Sequence, residues 1–319
     1  MTQAEPLVQP IFSKFFSSLV VVLPIWVFAH WLHAIPSRLP GADRVEIGRA
    51  QPVLADKGMR AWRLTASDPR FGGLSALTID RRGFLALTDS GVTVRFARPG
   101  PAGPSLAFAY HDLPGGPGKP TRKSARDSES LLRDPAGRGW WVAFESKHSL
   151  WLYDAGFRRV LEAYRLRVNW SHNKGGEGLL ANPDGTVMVV PESGGRAAGG
   201  SLVAPDWTSD ASRMPDGRVV LLVRQPTWHG FANRIEIAAG AGRPARRFAL
   251  ALRPLDNMEG IATEALPGGG TRLWIVSDDN FRPWMRTLLV AIDLPARAGA
   301  VLQTNSVTLR RLSSWRVRA

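Results

Sequence analysis

Asp256-Asn257-Met258-Glu259-Gly260-Ile261, then Pro267-Gly268-Gly269-Gly270, then Leu273-Trp274-Ile275-Val276-Ser277-Asp278-Asp279-Asn280: the reading of this stretch decides the reading of the chain. The Gly/Pro cluster marks a turn, and Leu273 to Val276 is a short apolar run rich in strand formers, so the stretch reads as a β-hairpin. In an antiparallel pair the start of the first strand lies beside the end of the second. Glu259 and Asp278, distant in sequence, are therefore expected to meet at one sheet edge.

The same design recurs upstream. Gly72 to Leu77 leads through Asp80-Arg81-Arg82-Gly83 to Phe84-Leu85-Ala86-Leu87-Thr88-Asp89. Asp127-Ser128-Glu129 leads through Asp134-Pro135-Ala136-Gly137 to Trp140-Trp141-Val142-Ala143-Phe144-Glu145. Gly176-Glu177-Gly178 leads through Asn182-Pro183-Asp184-Gly185 to Val187-Met188-Val189-Val190-Pro191-Glu192. A weaker copy has Ser209-Asp210 before Pro215-Asp216-Gly217, and Gln225 where a second acid stands elsewhere. Ser75, Glu129 and Glu177 follow one another at intervals of 54 and 48 residues. Repeats of about 40–50 residues carrying about four strands each are the mark of β-propeller blades. An all-β propeller of about six blades is expected over residues 45–319. Strands near Ala61-Trp62-Arg63-Leu64 and Ser306-Val307-Thr308-Leu309 are expected to complete one blade together, which removes an exposed edge. A two-sheet sandwich is the alternative and leaves the repeat unexplained.

The totals agree with many short strands. The 319 residues are 44% hydrophobic, with 32 Gly and 24 Pro spread along the chain. The absence of cysteine excludes disulfides, thiolate nucleophiles and Cys-based metal sites. The net charge of +14 comes mostly from scattered arginines, the pattern of a solvated basic surface; attraction to an anionic partner is the alternative. No zinc finger, RNP motif or basic helix is present, and no nucleic-acid partner is expected.

From Phe15 to Ser37 the chain has no Asp, Glu, Lys or Arg. That run is close to the ~20 residues of a membrane helix and also suits an export signal. Residues 1–40 are expected to be a signal peptide or anchor helix with its linker. The remainder is then periplasmic or otherwise extracytoplasmic, and a retained residue 15–37 segment would tie it to the inner membrane.

In a propeller the first strands of the blades line the channel. The repeat therefore predicts Ser75, Glu129, Glu177, Asp210 and Glu259 around one mouth, with Asp89, Glu145, Glu192 and Asp278 on adjacent strands and Asp127, Asp256, Asn257, Asp279 and Asn280 close by. So many acids repel one another unless a cation pairs with them. Oxygen-rich sites suit a hard divalent ion, Ca²⁺ first. Glu129, Glu177, Asp256, Glu259 and Asp278 are the expected ligands. Glu129, Glu177, Glu259 and Asp278 are also the expected catalytic carboxyls. Lys147, Arg282, Arg126 and Asn280 are expected to bind a small anionic or ester substrate. The competing reading of each acid is structural, a strand-end carboxylate accepting backbone N–H groups. No Gly-x-Ser-x-Gly elbow, HExxH or P-loop is present. Trp170, Trp228 and Trp284 fall in loops and are candidate pocket walls, and His148 and His172 flank the second and third hairpins.

Five pieces together carry a family resemblance: Asp68-Pro69-Arg70-Phe71-Gly72-Gly73-Leu74-Ser75, Arg126-Asp127-Ser128-Glu129-Ser130-Leu131 with Trp141 to Glu145, Gly175-Gly176-Glu177, Met214-Pro215-Asp216-Gly217-Arg218, and Asp256 to Gly260 with Val276 to Phe281. Over roughly Ala61 to Leu294 the chain resembles the bacterial "esterase-like activity of phytase" family. The resemblance implies a propeller-like fold, export, and hydrolysis of an ester or phosphoester. A non-catalytic ligand- or protein-binding propeller of the cell envelope and a lactonase-type metallohydrolase are the alternatives.

Overall fold

A computed structural model describes residues 41–56, 58–100, 103–119, 126–171 and 174–296. The expected signal or anchor segment and the expected strand at Ser306 to Leu309 lie outside them. No helix among the described residues is long and apolar enough to cross a membrane.

The described residues build an all-β, propeller-like ring. Two strands come first, β1 (Arg44–Asp56) and β2 (Met59–Thr65). The first unit is β3 (Leu74–Asp80), β4 (Gly83–Thr88), β5 (Val92–Phe96) and β6 (Ser105–Asp112). The second is β7 (Ser128–Arg133), β8 (Gly139–Phe144), β9 (Ser149–Asp154) and β10 (Val160–Arg165). In the third, the hairpin β11 (Gly176–Ala181) and β12 (Val187–Pro191) meets the hairpin β13 (Ser193–Arg196) and β14 (Val203–Asp206) through a bridge between Val189 and Ala198. The fourth is β15 (Thr208–Arg213), β16 (Val219–Thr227), β17 (Gly230–Ile237) and β18 (Arg246–Ala249). The fifth is β19 (Asn257–Ala265), β20 (Thr271–Asp278) and β21 (Leu288–Leu294), with β2 as its fourth strand. The described residues thus supply five units where the repeat length suggested about six.

Apolar alternation explains the ring. Strands such as β4 and β8 are buried along their whole length, so each presents apolar side chains on both faces. Five clusters follow, one between each pair of neighbouring units. Ala76, Leu85 and Leu87 meet Leu131, Trp140, Val142 and Phe144 between the first and second. Trp141, Ala143 and Leu152 meet Leu179 and Val189 between the second and third. Leu180, Met188 and Val190 meet Ala211, Leu221 and Val223 in the next. Val220, Leu222 and Ile235 meet Ile261, Ile275 and Val290 in the fourth. Leu77, Phe84 and Val94 meet Ala262, Trp274 and Leu289 in the last, which returns to the first unit and closes the ring.

The N-terminal strands fasten that closure at the rim. β2 pairs with β21, and β1 pairs with both β2 and β6, so the first and fifth units share one nine-stranded sheet. Of the two strands expected to complete a unit, the N-terminal one is found as β2, paired with β21; the one near Ser306 lies outside the described residues. Beneath β1, Arg70 grips both oxygens of buried Asp68 at 2.9 and 3.0 Å and reaches Asp112 at 3.1 Å. These bonds hold the Asp68 carboxyl below its usual pKa. Replacing Arg70 by Met should leave buried Asp68 and half-buried Asp112 without this cation, Arg44 remaining 3.6 Å from Asp68, and cost on the order of 3 kcal/mol. Chemical denaturation of the variant checks this; a loss below about 1 kcal/mol would show that the clasp contributes little.

Candidate active site

Every first strand of the ring carries a β-bulge near its start. The register slips between Leu74 and Ala76, Ser128 and Ser130, Gly176 and Gly178, Thr208 and Asp210, and Met258 and Gly260. The extra residues are Ser75, Glu129, Glu177, Ser209 and Glu259. A bulge re-aims the residue it inserts, which is why bulges gather beside active sites. The chain accommodates these kinks with close backbone approaches. A Cβ on Gly260 would lie 2.8 Å from the backbone of Ala76 and Leu77, and one on Gly178 would lie 2.9 Å from the Ala211 nitrogen.

The second strands end in the same register. The N–H groups of Asp89, Glu145, Glu192 and Arg224 donate to the carbonyls of Gly73, Asp127, Gly175 and Trp207 at 2.8–3.1 Å, and Asp278 pairs with Asn257. Each unit therefore offers two side chains to one mouth: Ser75 and Asp89, Glu129 and Glu145, Glu177 and Glu192, Ser209 and Arg224, Glu259 and Asp278.

Two positions differ from the sequence reading. Asp210 does not stand in the ring; the bulge gives that place to Ser209. The Asp210 carboxylate instead accepts from Ala211 N–H at 2.7 Å and Ile261 N–H at 2.6 Å, joining the fourth unit to the fifth. Ser209 and Ser75 do the same with their hydroxyls, donating to Met258 O at 2.9 Å and Ser128 O at 2.6 Å. Arg224, rather than Gln225, is the counterpart of the second acids.

Arg224 sits between acids. Its guanidinium lies 3.4 Å from Glu192 and 3.3 Å from Glu259, and donates to Asn257 Oδ1 at 3.2 Å. Burial opposes its charge, but Glu259, Glu177, Glu192 and Asp278 outweigh burial and raise its pKa. The acids respond the other way. Burial, then Glu145, Glu192 and Glu259, push the Glu177 carboxyl well up. Burial, then Asp89 and Glu259, do the same to Asp278. Glu192 is raised by burial although Arg224 opposes it. Burial lifts Glu259 to about 7 against the pull of Arg224 and of the Asn257 amide, which donates to Glu259 Oε1 at 2.8 Å.

Among the described residues, two groups of converging carboxylates share Glu145. Carboxylate oxygens of Asp127, Glu129 and Glu145 lie within 4.8 Å of one another, and so do those of Glu145, Glu177 and Glu192. Of the expected ligands, Glu129 and Glu177 fall in these groups, and Glu259 and Asp278 flank them across Arg224. Asp256 is engaged elsewhere: both its oxygens are held by Arg286 at 2.5 and 2.9 Å, and it caps Arg253 N–H. That two-point grip, which fixes the loop before β19, argues against a ligand role. Asn280 has a left-handed backbone (φ 49°) and donates its N–H to Asp278. Beside it, Asp279 accepts from Gly73 N–H at 3.0 Å and Thr287 at 2.7 Å. Gly73 must lack a side chain there, since a Cβ would lie 2.7 Å from Asp89 Oδ1 and 2.5 Å from Phe281. Arg282 lies over the Trp284 ring, and buried Arg126 donates to Gly115 O. Lys147 is exposed one turn beyond Glu145.

Glu145, Glu192 and Asp127, which the sequence placed at the mouth without a ligand or catalytic role, belong to this centre, as does Arg224, which it did not place there. The signal for them was positional: Glu145 and Glu192 each stand immediately after a second strand, and Arg224 holds the equivalent place within β16, which runs on to Thr227.

Comparison with known proteins now bears on the chain. No curated protein matches it. Among solved structures, the glutaminyl cyclase of Myxococcus xanthus aligns at 14% identity over 70% of this chain and 92% of its own, with a TM-score of 0.42. The α-L-arabinofuranosidase of Podospora anserina, solved with cellotriose, aligns at 12% identity over 78% and 92%, with a TM-score of 0.39. The hydrazine synthase of Kuenenia stuttgartiensis aligns at 12% identity over 72% and 68%, with a TM-score of 0.36. A family model described as Phytase-like, esterase-like activity of phytase, matches residues 69–223, which hold the first two bulged acids, Glu145, Glu192 and the bulged Ser209.

Proposed function

We propose that the protein is an exported hydrolase of esters or phosphoesters that works at the acidic mouth of the ring with a divalent cation, Ca²⁺ being the first choice. The observation that carries this is the pair of carboxylate groups sharing Glu145, each with its oxygens within 4.8 Å. Hard oxygen donors of this number and charge fit a divalent cation and fit no soft metal. Glu145, Glu177 and Glu192, or Asp127, Glu129 and Glu145, would hold it. When bound, it would polarise the substrate oxygen and acidify an attacking water.

The chain's own groups supply the rest. Glu259, with its pKa near 7, is poised to take up or release a proton at neutral pH, and Asn257 fixes its orientation. Arg224, held between Glu192 and Glu259, offers a fixed positive charge to an oxyanion that develops beside it. The export part of the proposal rests on the uncharged run from Phe15 to Ser37.

The test uses 4-nitrophenyl phosphate and 4-nitrophenyl acetate with the purified protein, in EDTA and after Ca²⁺ return. Turnover is expected to vanish in chelator and recover with the ion. Glu145→Gln should lower kcat/KM on the order of a hundredfold or more and remove the rise in Tm that the ion gives the wild type. Undiminished turnover in EDTA, or neither turnover nor a cation-dependent Tm, would overturn the proposal; the second result favours a binding module.

A further inference from the structure

Beside the acidic mouth, on the same face of the second unit, lies a cleft of about 620 Å³. That is within the ~300–1,000 Å³ of small-molecule sites. The charge of its lining is the reverse of the mouth's. Lys147, His148 and Arg165 line it with Trp151, Tyr164 and Trp170, and no Asp or Glu is among the lining residues.

The local fold explains why the cleft sits here. Glu145 ends the second strand of the unit, and a tight turn closes with the His148 N–H donating to Glu145 O at 2.9 Å. His148 takes a left-handed backbone, φ 41°, which lets β9 start at once and sets Ser146 and Lys147 at the rim. The chain leaving β10 is tied back when Leu166 N–H donates to His148 O at 2.7 Å. It then brings Trp170 edge-on to the His148 ring, with centroids 6.0 Å apart. Trp170 also reaches the first strand of the third unit: its ring lies 3.7 Å from where a Cβ on Gly176 would stand. The cleft is therefore bounded by the neighbours of two mouth carboxylates, Ser146 next to Glu145 and Trp170 against the residue before Glu177.

From this juxtaposition we infer that the cleft is the substrate-binding subsite of the mouth and takes an anionic ligand bearing a flat ring. Trp151, Tyr164 and Trp170 supply the faces on which a ring packs, and Lys147 and Arg165 supply charge-assisted hydrogen bonds to its phosphate or carboxylate group. A basic cleft bordered by the neighbours of an acidic centre would separate two tasks: cations recognise the anion, and carboxylates act at the bond to be cut. The subsite assignment rests on the hydrolase proposal, but the binding it predicts does not require turnover.

The test is therefore a binding experiment with the full chain in EDTA. Tryptophan emission is followed while phenyl phosphate, phenylacetate, inorganic phosphate or benzyl alcohol is added. Phenyl phosphate and phenylacetate should quench emission saturably, and the ring-free anion and the neutral ring should each bind at least about tenfold more weakly. A preference between the two aromatic anions identifies phosphate or carboxylate as the group recognised. Lys147→Ala and Arg165→Ala, both at exposed positions, should each raise Kd about tenfold. Trp170→Phe should remove part of the quenching while retaining binding. If turnover is present, the two cation variants should raise KM with kcat little changed. Equal binding of phenyl phosphate and benzyl alcohol, or wild-type affinity in both cation variants, overturns the assignment. Selective aromatic-anion binding without any turnover leaves the cleft in place and removes only the hydrolase proposal.

Discussion

Arg224→Met is expected to destabilise the chelated protein by on the order of 3–5 kcal/mol at pH 8, the cost of stranding buried charges that had a partner. Arg224 is the only cation among the ten side chains that the five units offer to the mouth, and it reaches both Glu192 and Glu259. Without it those carboxyls face Glu177 and Asp278 in a buried site, and their route to relief is to take up protons. The deficit should therefore shrink on acidification to about pH 5, and Ca²⁺ should restore part of it at pH 8. Urea denaturation at the two pH values, with and without the ion, measures all three effects. A deficit of the same size at both pH values would show that Met leaves a packing defect and that the charge is incidental.

The wild-type protein in chelator should itself lose stability as pH rises from about 5 to about 7. The sign follows from the direction of the shifts. Glu177, Glu192, Glu259 and Asp278 all have raised pKa values in the folded protein. Between the unfolded and folded values the native state holds protons that the unfolded state has released, so stability falls with rising pH in that window. For Glu259, raised from 4.5 to about 7, the loss is on the order of 3 kcal/mol. At roughly 2–4 °C per kcal/mol, the fall should be plain in thermal scans. A divalent cation competes with those protons. Saturating Ca²⁺ should flatten the slope and raise Tm most at the alkaline end. A Tm that climbs from pH 5 to 7 in EDTA would mean that the mouth acids are not the dominant titrating groups.

Much of this arrangement was legible in the sequence because its cause is periodic. Turn residues and apolar runs at 54- and 48-residue intervals give away the hairpins. A hairpin with acids at its open end must bring them together, so Glu129, Glu177, Glu259 and Asp278 could be placed. What escaped was whatever depends on a single-residue slip. Each first strand spends one extra residue on a bulge, and a reading without it slides the fourth copy by one: Asp210 takes the place of Ser209, and Gln225 hides Arg224. That the described residues hold five units, against about six expected, has a different reason. Residues 44–65 form no unit of their own: β1 lies at the rim, and β2 completes the fifth unit. Asp256 was placed near the mouth on its neighbours' account, yet its partner Arg286 lies 30 residues on, where no spacing rule points.

The five bulges also separate what the fold needs from what the mouth displays. The apolar residues that seal the units together occupy the regular part of each strand, and the side chains shown at the mouth stand at the inserted residue or, Arg224 within β16 excepted, at or just past the end of a second strand. Apart from the inter-unit hydrogen bonds of Ser75 and Ser209, these ten positions form a palette that the scaffold holds in place without dictating its colours. Descendants of one ring could therefore recognise different cations, or none, while folding by the same contacts; relatives of this chain would be sorted by chemistry at ten letters and by ancestry at the rest.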